Sequence, residues 1–511
     1  MMLAALAVLM LAGCGGSANG NSNGPHTGGT LTVGLNSDVV TLDPVKSSAL
    51  VDREVMLNLY DTLVRSDANN NIQPDLATSW NYSTPTQLVF TLQSGVKFQD
   101  GTPFNADAVV FNISRILSAG TKSPRYTEVN TVSSVVKVDD THVQFNLKKP
   151  FSPLLANLSD RAGMMLSPAV VQAQGDALAN NPAKAGTGPF EFSSWVKGDH
   201  LTITRNPSYW QKDTNGNALP YLNQVTYKPI TNGSQMFNNL QTSTINVAET
   251  LDPTDVPPAK SNSSLVYKQI PGLSFNGIEL NTQAPPFNNM HLRRAVSFAI
   301  DRQEILTSVL HGIGVLAQGP IPPSSWAYNT GFQPYSHDVS SAKMELQQAG
   351  MPNGFTFTLL ITSGSPLTTQ EAQFIQSELQ PAGITVNIKQ ETFAALLSDS
   401  AAHNFQAALL GWSGRVDPDG NTFGWFHTGG GFNDMQYTNA QVDALLEDAR
   451  ASSDRTKRTS DYHSAEQMIL QDAPYVFINY GVAEQATTKT VQNFVLLPTT
   501  IMPFAQVYLS A

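Results

Sequence analysis

Cysteine and charged residues are scarce in this chain. Only one of its 511 residues is a cysteine, Cys14, and only 14% are charged. A single cysteine excludes an internal disulfide, a paired-cysteine redox motif and a zinc site made of several cysteines. Lys and Arg number 29 against 40 Asp and Glu, which gives a net charge of −11. Because nucleic-acid binding depends on clustered basic side chains and no basic run occurs, we expect no nucleic-acid partner.

Long apolar runs are also missing, apart from a short one at the amino terminus. Residues 3–12 are apolar without a break and lead into Leu11-Ala12-Gly13-Cys14. About ten residues are too few to cross a bilayer, which takes roughly 20, but they suit the apolar part of a signal peptide. The segment resembles a bacterial lipoprotein signal that ends at its cysteine. This resemblance implies removal of residues 1–13 and lipid modification of Cys14; the alternative is an unmodified thiol.

A stretch rich in Gly, Asn and Ser, residues 15–29, follows the cysteine. It has no apolar periodicity, and we expect residues 14–29 to form a flexible tether with a span of about 20 Å. The tether and the lipid on Cys14 together predict an extracytoplasmic globule, in the periplasm or at the cell surface, that is anchored to a membrane.

The remaining chain is long enough for several packed units. Residues 30–276 mix strands with helices, including one over 105–117 for which Asn105 is the predicted N-cap. Residues 273–480 alternate strands and helices regularly, which indicates βαβ units on a largely parallel sheet. Thr368 is predicted to cap a helix in this part. The expected fold class is α/β.

Four segments in order carry a resemblance to a known family. They are residues 58–80 (NLYDTLVRSDANNNIQPDLATSW), 96–117 (VKFQDGTPFNADAVVFNISRIL), 186–210 (GTGPFEFSSWVKGDHLTITRNPSYW) and 292–306 (LRRAVSFAIDRQEIL). They closely resemble the family 5 extracellular solute-binding proteins, which are peptide, nickel and opine receptors of ABC transporters. The four segments are spread over most of the mature chain and identify the scaffold rather than the ligand site.

The resemblance implies a two-lobed periplasmic-binding-protein fold in which an extra subdomain is inserted in lobe one. Lobe one would comprise residues 30–60, 187–272 and 485–511, the inserted subdomain 61–186, and lobe two 273–484. The chain crossings near 272 and 485 would be hinges, and ligand binding would favour the closed form. The implied protein is a monomer without cofactor or metal. It would deliver a short peptide or other small solute to membrane permease subunits and their ATPases.

The richest polar cluster in the chain follows the predicted strand 405–411. Trp412 to Asn421 (WSGRVDPDGN) combines an aromatic ring, a guanidinium and two carboxylates. Ligands of open α/β sheets bind beyond the carboxyl ends of strands, so we predict ligand contacts at Trp412, Arg415 and Asp417. Arg415 is expected to hold an anionic ligand group, and Asp417 to pair with Arg415 or meet a ligand amine. The alternative is an internal Arg415–Asp417 pair that only shapes the loop.

The family comparison reveals two departures in this region. In the dipeptide and oligopeptide receptors the corresponding loop carries an aspartate for the peptide amino group, whereas Arg415 stands near that place here. Dipeptide receptors also use an arginine after the strand that corresponds to residues 355–361, where this chain reads Thr362-Ser363-Gly364-Ser365. The resemblance therefore does not imply ordinary dipeptide recognition.

Further ligand contacts are predicted at Asn36 and Ser37, which follow the first strand, and at Asn276, near the first crossing. We expect no catalytic residues. Residues 411–415 nearly match the nucleophile elbow of hydrolases, but Arg415 replaces its final glycine. The nine histidines show no paired ligand spacing, and no zinc helix or phosphate-binding loop occurs. An exported, lipid-anchored hydrolase is the alternative function, and it would reveal itself by turnover.

Overall fold

A computed structural model describes residues 25–331 and 335–510 of the chain. The predicted signal peptide, Cys14 and most of the tether lie outside the described residues. Within these ranges, no helix combines the length and the apolar character that a membrane span requires. The fold is α/β, as predicted.

The strands follow the β-branched and aromatic runs of the sequence. In the described residues they are β1 (Thr30–Leu35), β2 (Val64–Ser66), β3 (Ile72–Pro74), β4 (Ala77–Thr84), β5 (Gln87–Leu92), β6 (Val132–Lys137), β7 (His142–Leu147), β8 (Phe190–Val196), β9 (His200–Arg205), β10 (Gln224–Pro229), β11 (Val247–Ala248), β12 (Leu265–Leu280), β13 (Val315–Leu316), β14 (Thr356–Thr362), β15 (Thr385–Glu391), β16 (Ala407–Leu409), β17 (Tyr475–Thr488), β18 (Val491–Gln492) and β19 (Tyr508–Leu509).

Most of the helices bury apolar residues, as the helix Ala106–Leu117 does with Val109 and Ile113. They are α1 (Leu50–Leu59), α2 (Ala106–Leu117), α3 (Tyr126–Val129), α4 (Leu154–Asn157), α5 (Pro168–Gln174), α6 (Gly233–Gln241), α7 (Val256–Ser261), α8 (Met290–Ala299), α9 (Arg302–Glu304), α10 (Val339–Gln348), α11 (Pro366–Leu379), α12 (Phe393–Ala401), α13 (Asp419–Phe426), α14 (Ala440–Ala451) and α15 (Arg455–Asp472). A π-helical turn at Ile305–Val309 extends α9.

The central sheet has the strand order β15-β14-β16-β12-β17-β11-β1-β10-β9-β8, with β13 beside β17. We call β8, β9, β10, β1 and β11 the first half of the sheet, and β16, β14 and β15 the second half. The long strands β12 and β17 run antiparallel to each other and join the two halves. Parallel pairing links β14 with β15 and β16, but β12 is antiparallel to β16. Among the strands of residues 273–480, for which a largely parallel sheet was predicted, the prediction is therefore correct only for these three. In the first half, β1 is also parallel to β10 and β11.

The two joining strands have an irregular point in the middle of their pairing. Their register shifts between Pro271 and Phe275. At this point a Cβ atom on Gly272 would lie 2.8 Å from the carbonyl oxygen of Gly481. The backbones of β12 and β17 therefore approach each other so closely at Gly272 and Gly481 that a side chain on Gly272 would push the strands apart.

A second, four-stranded antiparallel sheet has the order β4-β5-β7-β6. It packs with α2 on its own apolar core, whose members include Phe90, Ile113, Phe145 and Met165. We call residues 61–165, which contain this sheet, α2 and most of this core, the small-sheet unit. The predicted lobe and subdomain boundaries themselves remain predictions.

Residues 25–29 attach to the first half of the sheet. The Gly28 amide donates to the Tyr221 carbonyl at 2.8 Å, and the Asn223 amide donates to the Gly29 carbonyl at 3.0 Å. The His26 ring lies 5.9 Å from the ring of Tyr508. The last part of the predicted tether is therefore fixed to this half of the molecule.

Two helix starts test the capping predictions. Asn105 accepts a hydrogen bond from the Ala108 amide and caps α2, as predicted. The prediction for Thr368 is wrong, because α11 begins at Pro366 and Ser365 accepts from the Thr368 amide at 3.2 Å. Proline favours the first helical position, so the helix begins earlier than the apolar pattern indicates.

Candidate functional site

A cleft of about 980 Å³ lies between the two halves of the central sheet. Its walls come from the ends of β1, β10 and β11 on one side, from β12, β17 and the segments after β14 and β16 on the other, and from residues 122–124 of the small-sheet unit. This volume is at the upper end of the range for pockets that enclose small ligands.

Four of the six predicted ligand-binding residues line this cleft: Asn36, Ser37, Asn276 and Trp412. The backbone amide of Asn36 donates to Glu249 Oε2 at 2.8 Å, and Ser37 Oγ donates to the side-chain oxygen Oδ1 of Asn36 at 3.2 Å. The fold thus brings together residues from three distant parts of the sequence. Their contact with a ligand remains a prediction.

Trp412 forms an aromatic wall of the cleft. Its backbone pairs with Phe275 of β12 through two hydrogen bonds of 2.8 and 3.1 Å. The indole Nε1 donates to Asn421 Oδ1 at 3.2 Å, and the ring lies 4.8 Å from Phe432 and 5.6 Å from Trp425. These contacts fix the indole, so any ligand meets a rigid surface.

Arg415 does not line the cleft. It is 8% exposed, and its Nε lies 3.2 Å from Asp160 Oδ2 of the small-sheet unit. Its Nη1 donates to the Gly414 carbonyl at 2.7 Å, and the guanidinium stacks over the Trp412 ring at 4.2 Å. The structure therefore corrects the prediction that Arg415 holds an anionic ligand group, because this guanidinium contacts a carboxylate of the protein.

Asp417 is also held by the protein. It accepts a hydrogen bond from Arg458 Nη2 of α15 at 2.6 Å. The internal Arg415–Asp417 pair, which was the alternative interpretation of the loop, is therefore wrong as well. Asp419 accepts two hydrogen bonds of 3.0 Å from Arg450 of α14. The charged side chains of the loop after β16 are thus all engaged in contacts within the protein.

Asp160 is the centre of a buried cluster of arginines. It accepts from Arg53 Nη1 at 2.8 Å and pairs with Arg415, while Arg161 and Arg125 lie in the same buried cluster. Burial opposes the ionisation of Asp160, but the charges of Arg415, Arg53 and Arg161 hold its pKa well below the usual value. Sequence reasoning missed this cluster because its members are widely separated and no local pattern marks them.

Sequence reasoning also missed the charge of the cleft lining. Six carboxylates line the cleft, against two lysines, Lys46 and Lys122. The six are Glu249, Asp252, Glu279, Glu371, Asp434 and Glu484. In the described part of the chain, no ion pair with Lys, Arg or His joins any of them, whereas Lys46 pairs with Asp176 at 2.7 Å. The cleft lining therefore carries more acidic than basic side chains.

Burial shifts the ionisation of several of these acids. It raises the pKa of Glu371 to about 7, and raises that of Glu249 to about 7 against the hydrogen bond from the Asn36 amide. Burial, opposed by His403, raises the pKa of Asp434 to about 6. Burial and then the charge of Asp434 raise the pKa of Glu279 well above its ordinary value, against the hydrogen bond from Ser400. These groups are destabilised as anions by their surroundings.

Known proteins are similar to this chain in both sequence and fold. The family model described as "Bacterial extracellular solute-binding proteins, family 5 Middle" matches residues 71–434. The chain is 32% identical over 485 residues to the probable D,D-dipeptide-binding periplasmic protein DdpA of Escherichia coli K12, covering 92% of each chain. It is 29% identical over 486 residues to the glutathione-binding protein GsiB of Pectobacterium atrosepticum, again covering 92% of each.

A solved structure agrees with these sequence relatives. The oligopeptide-binding protein AppA of Bacillus subtilis, solved in complex with a nonapeptide, superimposes with a TM-score of 0.88 at 27% identity. The match covers 96% of this chain and 100% of that one. The two-lobed fold class predicted from the sequence is therefore confirmed.

Proposed function

Because the chain belongs to the family 5 bacterial extracellular solute-binding proteins and is a receptor of an ABC importer rather than an enzyme, we propose that its cleft captures a short peptide or a peptide-like solute. The observation that carries this proposal is the cleft of about 980 Å³, to which both halves of the sheet contribute walls. Nothing supports the hydrolase alternative. The importer is expected to supply the permease subunits and ATPases that receive the solute.

The chemistry of the cleft suits an amide ligand. Four asparagines line it, Asn36, Asn276, Asn433 and Asn479, and each side chain carries both a donor and an acceptor. A peptide backbone needs both kinds of partner along its length. The Trp412 wall adds a rigid apolar surface on which a side chain can pack.

Capture by closure is the mechanism we propose. A ligand that touches both walls gains its full contact only when the halves are together, so it shifts the population toward the closed form. The register shift between Pro271 and Phe275, with Gly481 opposite, is our proposed hinge. This hinge lies at the predicted crossing near 272, while on β17 it falls a few residues before 485.

The proposed lobe boundaries follow the same logic. Lobe one comprises residues 30–60, 187–272 and 485–511, and lobe two comprises 273–484. The separate core of the small-sheet unit supports an inserted subdomain over 61–186. Limited proteolysis tests these bounds, since cleavage is expected at exposed connections between units rather than within them.

We further propose that Cys14 carries a lipid and that the mature monomer is tethered to a membrane. Support comes from the Leu11-Ala12-Gly13-Cys14 motif and from the stretch rich in Gly, Asn and Ser that follows the cysteine. Mass spectrometry of the mature amino terminus and labelling with a palmitate analogue test the lipid, and Cys14→Ser is expected to release the protein from membranes. An unmodified, soluble mature protein would contradict the anchor. Light scattering on the Cys14→Ser protein tests the monomer.

Mass spectrometry of material released on denaturation is the direct test of the ligand. We expect one or more short peptides in a stoichiometric amount. Titration of the ligand-free protein with the identified solute should then show reversible binding, and small-angle X-ray scattering should show compaction. Turnover of the solute, or binding without compaction, contradicts the proposal.

A further inference from the structure

Three carboxylates gather on the wall of the cleft that belongs to the second half of the sheet. Glu279 lies near the end of β12, Glu371 on α11 and Asp434 in the segment after α13, and all three line the cleft. After burial, the charge of Asp434 raises the pKa of Glu279, and the charges of Glu279 and Glu371 raise the pKa of the Tyr475 phenol. We call these three residues the acidic wall.

The protein supplies little to balance the acidic wall. Glu279 is 1% exposed, and the hydrogen bond that the described residues give its carboxylate is a long one of 3.3 Å from Ser400 Oγ. His403 also lines the cleft, and its Nδ1 lies 3.0 Å from the backbone oxygen of Asp434. Burying an anion without a cationic partner costs free energy of folding. If these positions served packing alone, amide side chains would therefore be more stable there than carboxylates.

The arginines of this region do not supply the missing charge. Arg53 and Arg415 contact Asp160, and neither arginine lines the cleft. Lys46 is engaged with Asp176, and within residues 25–331 and 335–510 no carboxylate pairs with Lys122, the other lysine of the lining. The side of the cleft that a ligand meets is therefore acidic, the opposite of what Arg415 had indicated.

We propose that the acidic wall binds a cationic group of the ligand, an ammonium or a guanidinium, and that the receptor prefers solutes with such a group beyond the peptide amino terminus. This inference rests on the proposed capture of a peptide-like solute and narrows it to basic peptides, such as those that contain Lys or Arg. A cation enclosed between carboxylates forms short, charge-assisted hydrogen bonds and relieves the mutual repulsion of the acids.

A matched set of probes tests the preference. Isothermal titration of the ligand-free protein uses the tripeptides Ala-Lys-Ala, Ala-Gln-Ala and Ala-Glu-Ala, which share both charged termini, and the diamine cadaverine. We expect Ala-Lys-Ala to bind at least about tenfold more tightly than Ala-Gln-Ala, and Ala-Glu-Ala to bind most weakly.

Two isosteric variants and one control locate the effect. Glu279→Gln and Glu371→Gln should each lower the affinity for Ala-Lys-Ala about tenfold and leave that for Ala-Gln-Ala nearly unchanged. Asp448→Asn, whose side chain is 70% exposed on α14, should change neither affinity. Thermal melting checks that each variant is folded, and Glu371→Gln, at the more exposed position, serves if Glu279→Gln fails to fold.

The outcomes separate this inference from the proposed function. Tripeptide binding in which Ala-Gln-Ala or Ala-Glu-Ala equals Ala-Lys-Ala overturns the acidic wall as a cation site but leaves peptide capture standing. Binding of cadaverine without any tripeptide supports the cation site and contradicts peptide capture. If neither cadaverine nor any tripeptide binds, the preference for a cationic group is overturned.

Discussion

Arg415 and Asp160 form an ion pair between the second half of the central sheet and the small-sheet unit, with 3.2 Å between Nε and Oδ2. The same carboxylate accepts a hydrogen bond from Arg53 on α1, which packs against the first half. Asp160 therefore connects three parts of the molecule at once. If the proposed closure moves the second half relative to the small-sheet unit, we expect this pair to form only in the closed form.

Loss of the carboxylate should be worse than loss of one arginine. Asp160→Asn leaves several buried guanidiniums facing one another, and we expect it to lower the free energy of unfolding by about 3–5 kcal/mol. Arg415→Met removes one cation and leaves Asp160 with Arg53, so its expected cost is about 1–2 kcal/mol. Urea denaturation measures both values.

The same two variants also report on closure. Arg415→Met should weaken all ligands by a similar factor, because it disfavours the closed form without touching the ligand. Arg415→Lys, which keeps a charge, is the control. Equal stability of Asp160→Asn and Arg415→Met, or selective loss of anionic ligands in Arg415→Met, contradicts this account.

The pH dependence of stability has a defined sign at Glu371. Burial raises its pKa from 4.5 to about 7, so the folded protein binds more protons than the unfolded chain between these values. Its contribution to stability is therefore fully present below about pH 4.5 and is lost as the pH rises through 7. We expect Glu371→Gln to be more stable than the parent at pH 7, by on the order of 2 kcal/mol, and equal at pH 4.5.

Urea denaturation at pH 4.5, 6 and 7 gives the difference between the two proteins. Other buried acids of the cleft, such as Glu249, contribute a slope of the same sign to both proteins and cancel in the difference. Asp448→Asn, on the exposed surface, should follow the parent at each pH. A constant difference across the three pH values would show that the substitution acts through packing and not through ionisation.

The aromatic wall should dominate the rigidity of the cleft. Trp412→Ala removes the contacts with Phe432 and Trp425 and the hydrogen bond to Asn421, and it opens a cavity beside Arg415. We expect a loss of about 3–5 kcal/mol in the free energy of unfolding. Trp412→Phe keeps most of the packing and should cost less than half of that amount. Similar unfolding curves for the two variants would contradict a packing role.

The crossing of β12 and β17 should tolerate no side chain at Gly272. A Cβ there would lie 2.8 Å from the Gly481 carbonyl oxygen and 3.0 Å from the Ala483 amide nitrogen. Gly272→Ala is expected to separate the strands at the register shift and to change the compaction that ligand produces in small-angle X-ray scattering. The control is Gly120→Ala, whose nearest contact would be 3.8 Å away. Unchanged scattering in Gly272→Ala would place the hinge elsewhere.

Local features of the fold could be predicted from the sequence, and long-range ones could not. The helix start at Asn105 and strands such as β1 and β7 depend on neighbouring residues, so the pattern reveals them. The antiparallel pairing of β12 with β17 joins segments about two hundred residues apart, and no local signal records it.

The site shows the same division. Asn36 and Ser37 were predicted from their place after the first strand and Asn276 from its place near the first crossing, and all three line the cleft. The charged side chains of the loop that contains Arg415 instead contact other parts of the protein. A loop rich in charge looks alike in the sequence whether its partners are ligands or distant arginines such as Arg458. The acidic wall could not be predicted from the sequence, because its three residues are far apart in the chain and only the fold places them on one wall of the cleft.

The attachment of residues 25–29 beside Tyr221 and Tyr508 determines where a mechanical load would enter the molecule. A force applied to the amino-terminal segment acts on the first half of the sheet. The joining strands β12 and β17 then transmit to the second half only the force that moves that half. With the proposed lipid on Cys14, a pull toward the membrane would therefore not act across the cleft.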